Sequence, residues 1–196
     1  MKLSRCELSN VVELVIDHRG LTPKKLGGNW TISGYRALSA KNIKTGKIVQ
    51  KENIRYVNEE MYRRWMPVEV NKNDIFITSE APFGEVYLWD SEEKIVLSQR
   101  IFGLRVNENF DPVYIYYYMT CPTFQNELFA RSTGTTVTGL RQPELLKCSI
   151  EYPSIEEQRK IGSLLKAIDD KINLNNEIND NLSNQVEYWQ RQVRLA

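Results

Sequence analysis

After Pro153 the chain runs to Ala196 without another proline, and Gly162 is the single glycine in that span. Proline and glycine oppose a helix interior most strongly, so this stretch is free to form one long helix. Its seam positions recur at alternating spacings of four and three: Ile161, Leu165, Ile168, Ile172, Asn175, Asn179, Leu182, Val186, Trp189 and Val193. That is a heptad pattern, eight of the ten positions being apolar, and it predicts a coiled-coil-like helix. Ser154 followed by Glu157 forms a capping box at its start. A helix of about 40 residues is about 60 Å long, more than a small domain covers. The seam therefore requires a second helix, from this chain or from a partner. Buried asparagines would fix register and partner number, because a slipped pairing strands their amides. Alternatively Asn175 and Asn179 face solvent, and Leu174 and Ile178 take over the seam.

The preceding residues differ in kind. Short β-branched or aromatic runs at 74–78, 84–89, 95–97 and 101–106 read as strands, separated by turn formers such as Ala81-Pro82-Phe83-Gly84. Residues 8–16 are a short apolar stretch with Ser9 as a candidate helix N-cap. Residues 112–131 read as helix broken at Cys121-Pro122, with Tyr114, Tyr117 and Tyr118 among the packing residues, and 132–139 read as a loop. The fold class is α+β, with a globular unit over residues 1–152 and the helix over 153–196. No apolar run approaches the roughly 20 residues of a membrane span. No secretory signal opens the sequence, so a cytoplasmic protein with no membrane partner is expected.

Net charge is only +1, but its distribution is uneven. Between Arg19 and Arg55 nine cations accompany one anion, Glu52, a local balance of +8, whereas residues 151–196 carry −2. One basic face beside a neutral remainder suits a phosphate-bearing partner; a solvated lysine-rich loop has the same composition. Polar stretches at 36–42, Thr78-Ser79-Glu80, Ser98-Gln99-Arg100 and 133–142 supply groups that bond base edges and phosphates.

Catalytic motifs are scarce. Neither a Walker nor a Rossmann glycine pattern nor G-x-S-x-G occurs. Cys6, Cys121 and Cys148 are far apart, and His18 is the single histidine, too sparse a donor set for zinc. Buried reduced thiols and a surface or turn histidine are expected, and no metal. The one enzymatic pattern is Asp74 with Glu92-Glu93-Lys94, the carboxylate and lysine skeleton of a small Mg²⁺-dependent nuclease. Glu92 to Lys94 also read as a polar hairpin turn.

The stretch Gly134-Thr135-Thr136-Val137-Thr138-Gly139-Leu140-Arg141-Gln142-Pro143-Glu144-Leu145-Leu146, then Ile150-Glu151-Tyr152-Pro153 and Ile155-Glu156-Glu157-Gln158-Arg159-Lys160-Ile161, continues into Leu164-Leu165 and Ile168-Asp169-Asp170-Lys171-Ile172. This junction resembles that of the specificity (S) subunits of type I restriction-modification systems, and the likeness extends more loosely over the whole chain. The resemblance implies a target recognition domain reading half of a bipartite site in double-stranded DNA. The long helix would then serve as spacer and docking element for modification (methyltransferase) subunits, and through them for the restriction subunit. It implies a non-catalytic chain, with S-adenosylmethionine, ATP and Mg²⁺ on partner subunits and no cofactor here. Such subunits commonly carry two recognition domains and two helices. One of each implies either a half-subunit that pairs as an antiparallel homodimer or a truncated product.

On this reading Lys24, Lys25, Lys41 and Lys44 are candidates for phosphate contact and Arg36, Asn42, Gln99 and Arg100 for base readout. Arg19, Ser79, Thr135, Thr136 and Arg141 complete the DNA-binding set. A coiled-coil adaptor that binds only protein is the remaining alternative.

Overall fold

A computed structural model describes residues 2–134 and 138–195, the side chains of 184, 186–189 and 191–195 excepted. Strand β1 (Ser4–Glu7) leads through a 3-10 turn at Leu8–Asn10 into β2 (Val12–Asp17). The apolar stretch at 8–16 is thus mostly strand, and Ser9 caps no helix; its hydroxyl bonds Glu7. The β-branched residues Val12, Val15 and Ile16 favour an extended chain, and β2 gains an antiparallel partner in β10 (Ile101–Val106).

Strands β3 (Tyr35–Leu38), β4 (Ile43–Lys44), β5 (Lys47–Ile48) and β6 (Arg55–Val57) precede helix α1 (Glu59–Trp65). Asn58 caps α1 by accepting from the Met61 amide, with Glu59 and Glu60 in the first turn and Arg63 and Arg64 in the last, as the helix dipole favours. Strands β7 (Ile75–Ser79), β8 (Phe83–Leu88) and β9 (Val96–Leu97) follow. The two larger sheets are an antiparallel one ordered β2-β10-β7-β8 and one ordered β6-β3-β9 in which β3 and β9 run parallel, while β4 and β5 pair with each other alone.

The first sheet is buried on both faces, and the two-residue period of its strands sorts side chains between two cores. Phe76 and Ile101 face one cluster with Trp65, Trp89, Leu38 and Leu97. Ile75, Ile77, Phe102 and Leu104 face the other, which is roofed by α2 (Pro112–Thr120) and α3 (Pro122–Ala130) through Ile115, Met119, Phe124 and Leu128. Gly103 leaves room for Leu97: a Cβ there would lie 2.7 Å from Leu97 Cδ1 and force that buried side chain to shift. Both helices begin at proline, and Asp111 caps α2 by accepting from Tyr114 N at 2.8 Å. Of the cysteines, Cys148 alone is fully buried, its thiol pushed up to about 12 by burial; Cys6 is half-buried and Cys121 exposed, against the expectation of three buried thiols.

Short helix α4 (Gln142–Leu146) and strand β11 (Ser149–Tyr152) lead into α5 (Ile155–Leu195). β11 pairs antiparallel with β1, from Ser4 opposite Tyr152 to Glu7 opposite Ser149. The Ser154–Glu157 capping box forms at the head of α5. The first turns of α5 dock on α2. Gln158, 1% exposed, accepts from the Asp111 amide and donates to the Pro153 carbonyl, both at 3.0 Å. Gly162 abuts the α2 N-terminus, and Tyr117 donates to Asp169 at 2.8 Å. Lys166 adds an ion pair to Asp90 at 3.1 Å.

The heptad seam lies roughly a quarter-turn away from this docked face. Ile161 and Leu165 are half-buried at its edge, whereas Ile168, Ile172 and Leu182 are about half exposed, as are Leu174 and Ile178 on the adjoining side. Asn175 and Asn179 are exposed with them. The side chains of Val186 and Trp189 lie outside the described residues. No helix among the described residues is long and apolar enough to cross a membrane.

Candidate nucleic-acid interface

Two adjoining concavities open on the globular part and share Gln99 and Arg100. The first, about 580 Å³, has Trp30, Ala37, Ile54 and Trp65 among its walls and Lys41, Gln50, Asn53 and Arg55 at its polar edge. The second, about 630 Å³, is bounded by Arg19, Ser79, Glu80, Thr133, Gly139, Leu140 and Arg141. Arg100 joins them from the turn between β9 and β10. Its carbonyl accepts from Ser79 N at 2.8 Å, and its guanidinium pairs with Glu80 at 2.7 Å.

The backbone around the second concavity is tied down by polar contacts. Leu140 N donates to the Ser79 carbonyl at 3.0 Å, and Thr133 and Gly139 bridge each other. Thr135 and Thr136 fall outside the described residues. Arg19 is held through all three nitrogens: Nε and Nη2 bond the two Asp17 oxygens at 2.7 and 2.8 Å, and Nη1 bonds the Leu140 carbonyl at 3.1 Å. Its guanidinium carbon also lies 3.7 Å above the Phe102 ring. It holds the wall in place, and three of its five N–H donors are committed there. Ser79 is 3% exposed and acts here through its backbone, its hydroxyl being buried away from the concavity surface.

Two candidate readers take other roles. Asn42 is 2% exposed; its Oδ1 accepts from Ser39 N and Oγ at 3.0 and 2.9 Å, and its Nδ2 reaches the Gln50 carbonyl at 3.2 Å. A side chain so committed stabilises its turn and cannot also bond a base edge. Arg36 sits on the face of β3 opposite Ala37, away from the first concavity, and its guanidinium is clamped on Glu93. Lys44 pairs with Glu85 at 2.5 Å and lines neither concavity. Thr45 completes that site, and its two bonds together with the Lys44 ammonium hold the Glu85 carboxyl below its usual value against the opposing effect of burial. Lys25 bonds the Gly20 carbonyl at 2.7 Å, and Lys24 stands beside it on the same exposed turn.

The structure therefore gathers Lys41, Gln99, Arg100 and Arg141 from the candidate set on one surface. To these it adds Gln50, Asn53 and Arg55, which pattern reading did not single out; Arg55 lies 5.2 Å from the Trp30 ring centroid. Lys41, Arg55 and Arg141 form no ion pair with another described residue. Free cations around amide and guanidinium groups match what phosphates and base edges bond, Arg to guanine and Gln or Asn to adenine.

The nuclease pattern dissolves in the fold. Asp74 is 1% exposed and accepts from Arg105 Nε and Nη2 at 2.9 and 2.8 Å and from Asn71 N at 2.8 Å. Lys94 pairs instead with Glu69 at 2.8 Å. No group of three His, Cys, Asp or Glu able to hold a metal occurs among the described residues. His18 is half-buried at the end of β2, its Nε2 without a partner among the described residues, and burial lowers its pKa despite the neighbouring Asp17.

Residues 6–184 match the family described as "Type I restriction modification DNA specificity domain". Over 148 residues the chain is 27% identical to the type I restriction enzyme MjaVIII specificity subunit of Methanocaldococcus jannaschii, covering 72% of this chain and 35% of that protein. Its fold resembles the S subunit of a type I restriction-modification system from M. genitalium, with TM-score 0.61, 19% identity and coverage of 88% of this chain and 40% of that one. The HsdS subunit from Thermoanaerobacter tengcongensis gives TM-score 0.61 at 16% identity, with 87% and 43% covered. The chain thus spans well under half the length of each of these relatives. Family match, two-core α+β unit and long terminal helix agree, and the chain belongs to the type I restriction modification DNA specificity domain family.

Proposed function

We propose that this chain reads one half of a bipartite DNA target as a non-catalytic specificity subunit, with residues 1–152 as the recognition unit and 153–196 as the spacer. The observation that carries the reading is the pair of joined concavities in which Lys41, Gln99, Arg100 and Arg141 converge. Lysine and arginine there anchor phosphates, and the amide and guanidinium groups reach base edges.

The spacer helix serves two further ends in this proposal: pairing with a second copy and docking methyltransferase subunits. Ile168, Ile172 and Leu182 expose about half their surface along one line, and no part of the described chain covers them. Pairing two such helices antiparallel buries both seams and presents two identical readers in opposite orientation, as two-fold symmetry requires. Mapping of methylated bases in cells that express this chain with its methyltransferase subunit, and no other specificity subunit, tests the reading. The expected result is a motif of two identical inverted halves with a fixed gap. Absence of any motif, with the methyltransferase active beside another specificity subunit, would overturn it.

A further inference from the structure

Among the described residues four non-glycine positions have left-handed backbone: Gln50 (φ 49°), Asn73 (φ 72°), Ala81 (φ 44°) and Arg100 (φ 68°). Asparagine tolerates this conformation, and Asn73 lies in the turn before β7, outside both concavities. The other three are types that disfavour it, since their Cβ crowds the following carbonyl. All three line the first concavity. Glycine would satisfy the same backbone without that strain, yet two of the three positions carry long polar side chains.

Strained residues gathered around one site point to a requirement beyond folding. At Gln50 the backbone accounts for the local structure: its carbonyl accepts from Asn53 N at 3.0 Å and from Asn42 Nδ2 at 3.2 Å. The Gln50 side chain is exposed, and its one hydrogen-bonding approach among the described residues is the 3.5 Å contact from Asn53 Nδ2. The Arg100 carbonyl likewise anchors Ser79, while its exposed side chain has one ion-pair partner among the described residues, Glu80, across the concavity. In both residues the backbone builds the wall; the Gln50 amide stays exposed, and Arg100, held by Glu80 through Nε, still presents its two Nη groups.

We propose that Gln50 and Arg100 determine the DNA sequence recognised, each aimed at a base edge by its left-handed backbone. Gln50 carries the paired acceptor and donor that match adenine N6 and N7, and Arg100 the paired donors that match guanine O6 and N7. The proposal rests on the DNA-reading function above and names the residues that supply its specificity.

The test is selection from a duplex oligonucleotide library with a randomised core, using the full chain in complex with its methyltransferase subunit. Wild type is compared with Gln50→Gly, Arg100→Gly, the amide-retaining Gln50→Asn, and Asn73→Gly as control. Gln50→Gly and Arg100→Gly are each expected to lose preference at one or two adjacent positions, with discrimination there falling about tenfold to a hundredfold. The remaining positions and the Asn73→Gly motif should be unchanged. Melting temperatures should stay within roughly 3 °C of wild type, because glycine suits these backbone angles. Motifs identical to wild type in Gln50→Gly and Arg100→Gly would overturn the proposal, as would loss of every position together with a large fall in melting temperature. If the wild-type complex itself selects no motif, the DNA-reading function fails and this assignment with it.

Discussion

Replacing Gly162 by alanine sets two opposed effects against each other, and the structure decides between them. In an exposed helix interior the change would stabilise by about 1 kcal/mol, because glycine loses more backbone freedom on folding. Here the new Cβ would lie 2.9 Å from Asp111 Oδ1, 3.0 Å from Tyr114 N and 3.3 Å from Val113 Cβ. None of these atoms is the free end of a flexible chain. The Asp111 carboxylate is committed to the Tyr114 amide as the α2 cap, an interaction worth about 1 kcal/mol, and Tyr114 N is backbone. Helix α5 must therefore retreat by several tenths of an ångström, which also stretches the 3.0 Å bond from Asp111 N to Gln158. Overpacking of this kind costs about 1–3 kcal/mol. Adding the weakened cap and subtracting the helix-propensity gain leaves a net loss of about 1–2 kcal/mol. For a chain of this size that lowers Tm by about 3–6 °C. Thermal melts at one protein concentration, followed by tryptophan fluorescence, measure it. A Gly162→Ala protein as stable as wild type, or more stable, would refute the claim that α5 is seated rigidly on α2.

Asp74→Asn should destabilise by about 3 kcal/mol, since it leaves the Arg105 guanidinium facing an uncharged, nearly buried partner; a change under 1 kcal/mol in urea unfolding would contradict that structural role. Changing Ile168, Ile172 and Leu182 together to glutamate should reduce the sedimentation mass to that of one chain without moving the melt of the globular part, whereas an unchanged mass would remove the seam from the proposed dimer. Burial depresses the His18 pKa below its usual 6.5, so the unfolded chain binds the proton more readily. The stability gained by keeping His18 neutral is complete above that pH and is lost as pH falls toward the lower folded value. In His18→Gln the urea midpoint should vary less with pH across that interval, and an unaltered slope would exclude the effect.

Which features the sequence exposed follows from the range of the interactions behind them. The helix break at Cys121-Pro122 and the α5 capping box are local, and both form as read. Strands β7 and β10 declared themselves because burial on both faces demands continuous apolar runs. Residues 8–16 misled because Val11, Val12, Val15 and Ile16 suit either a helix face or a strand until β10 supplies hydrogen bonds. The site was harder still. Loop polarity cannot distinguish Asn42, whose amide is spent inside its own turn, from Gln50 eight residues on, whose side chain is exposed. Nor can a cation count reveal that Arg36, Lys44 and Arg19 are already matched by Glu93, Glu85 and Asp17.

The pairing of β1 with β11 gives the molecule a modular character. Ser4 stands opposite Tyr152, three residues before α5 begins, so the two ends of the globular unit meet at the root of the helix. Everything between forms a closed excursion that starts and finishes at one place. Exchanging that excursion for another of different sequence would leave the entry to α5, and so the orientation of the rod, unchanged. If the chain acts as proposed above, recombination at this neck would alter which bases are read while leaving unchanged the angle at which the reader joins its spacer, so that new targets would arise by swapping cassettes on a constant ruler.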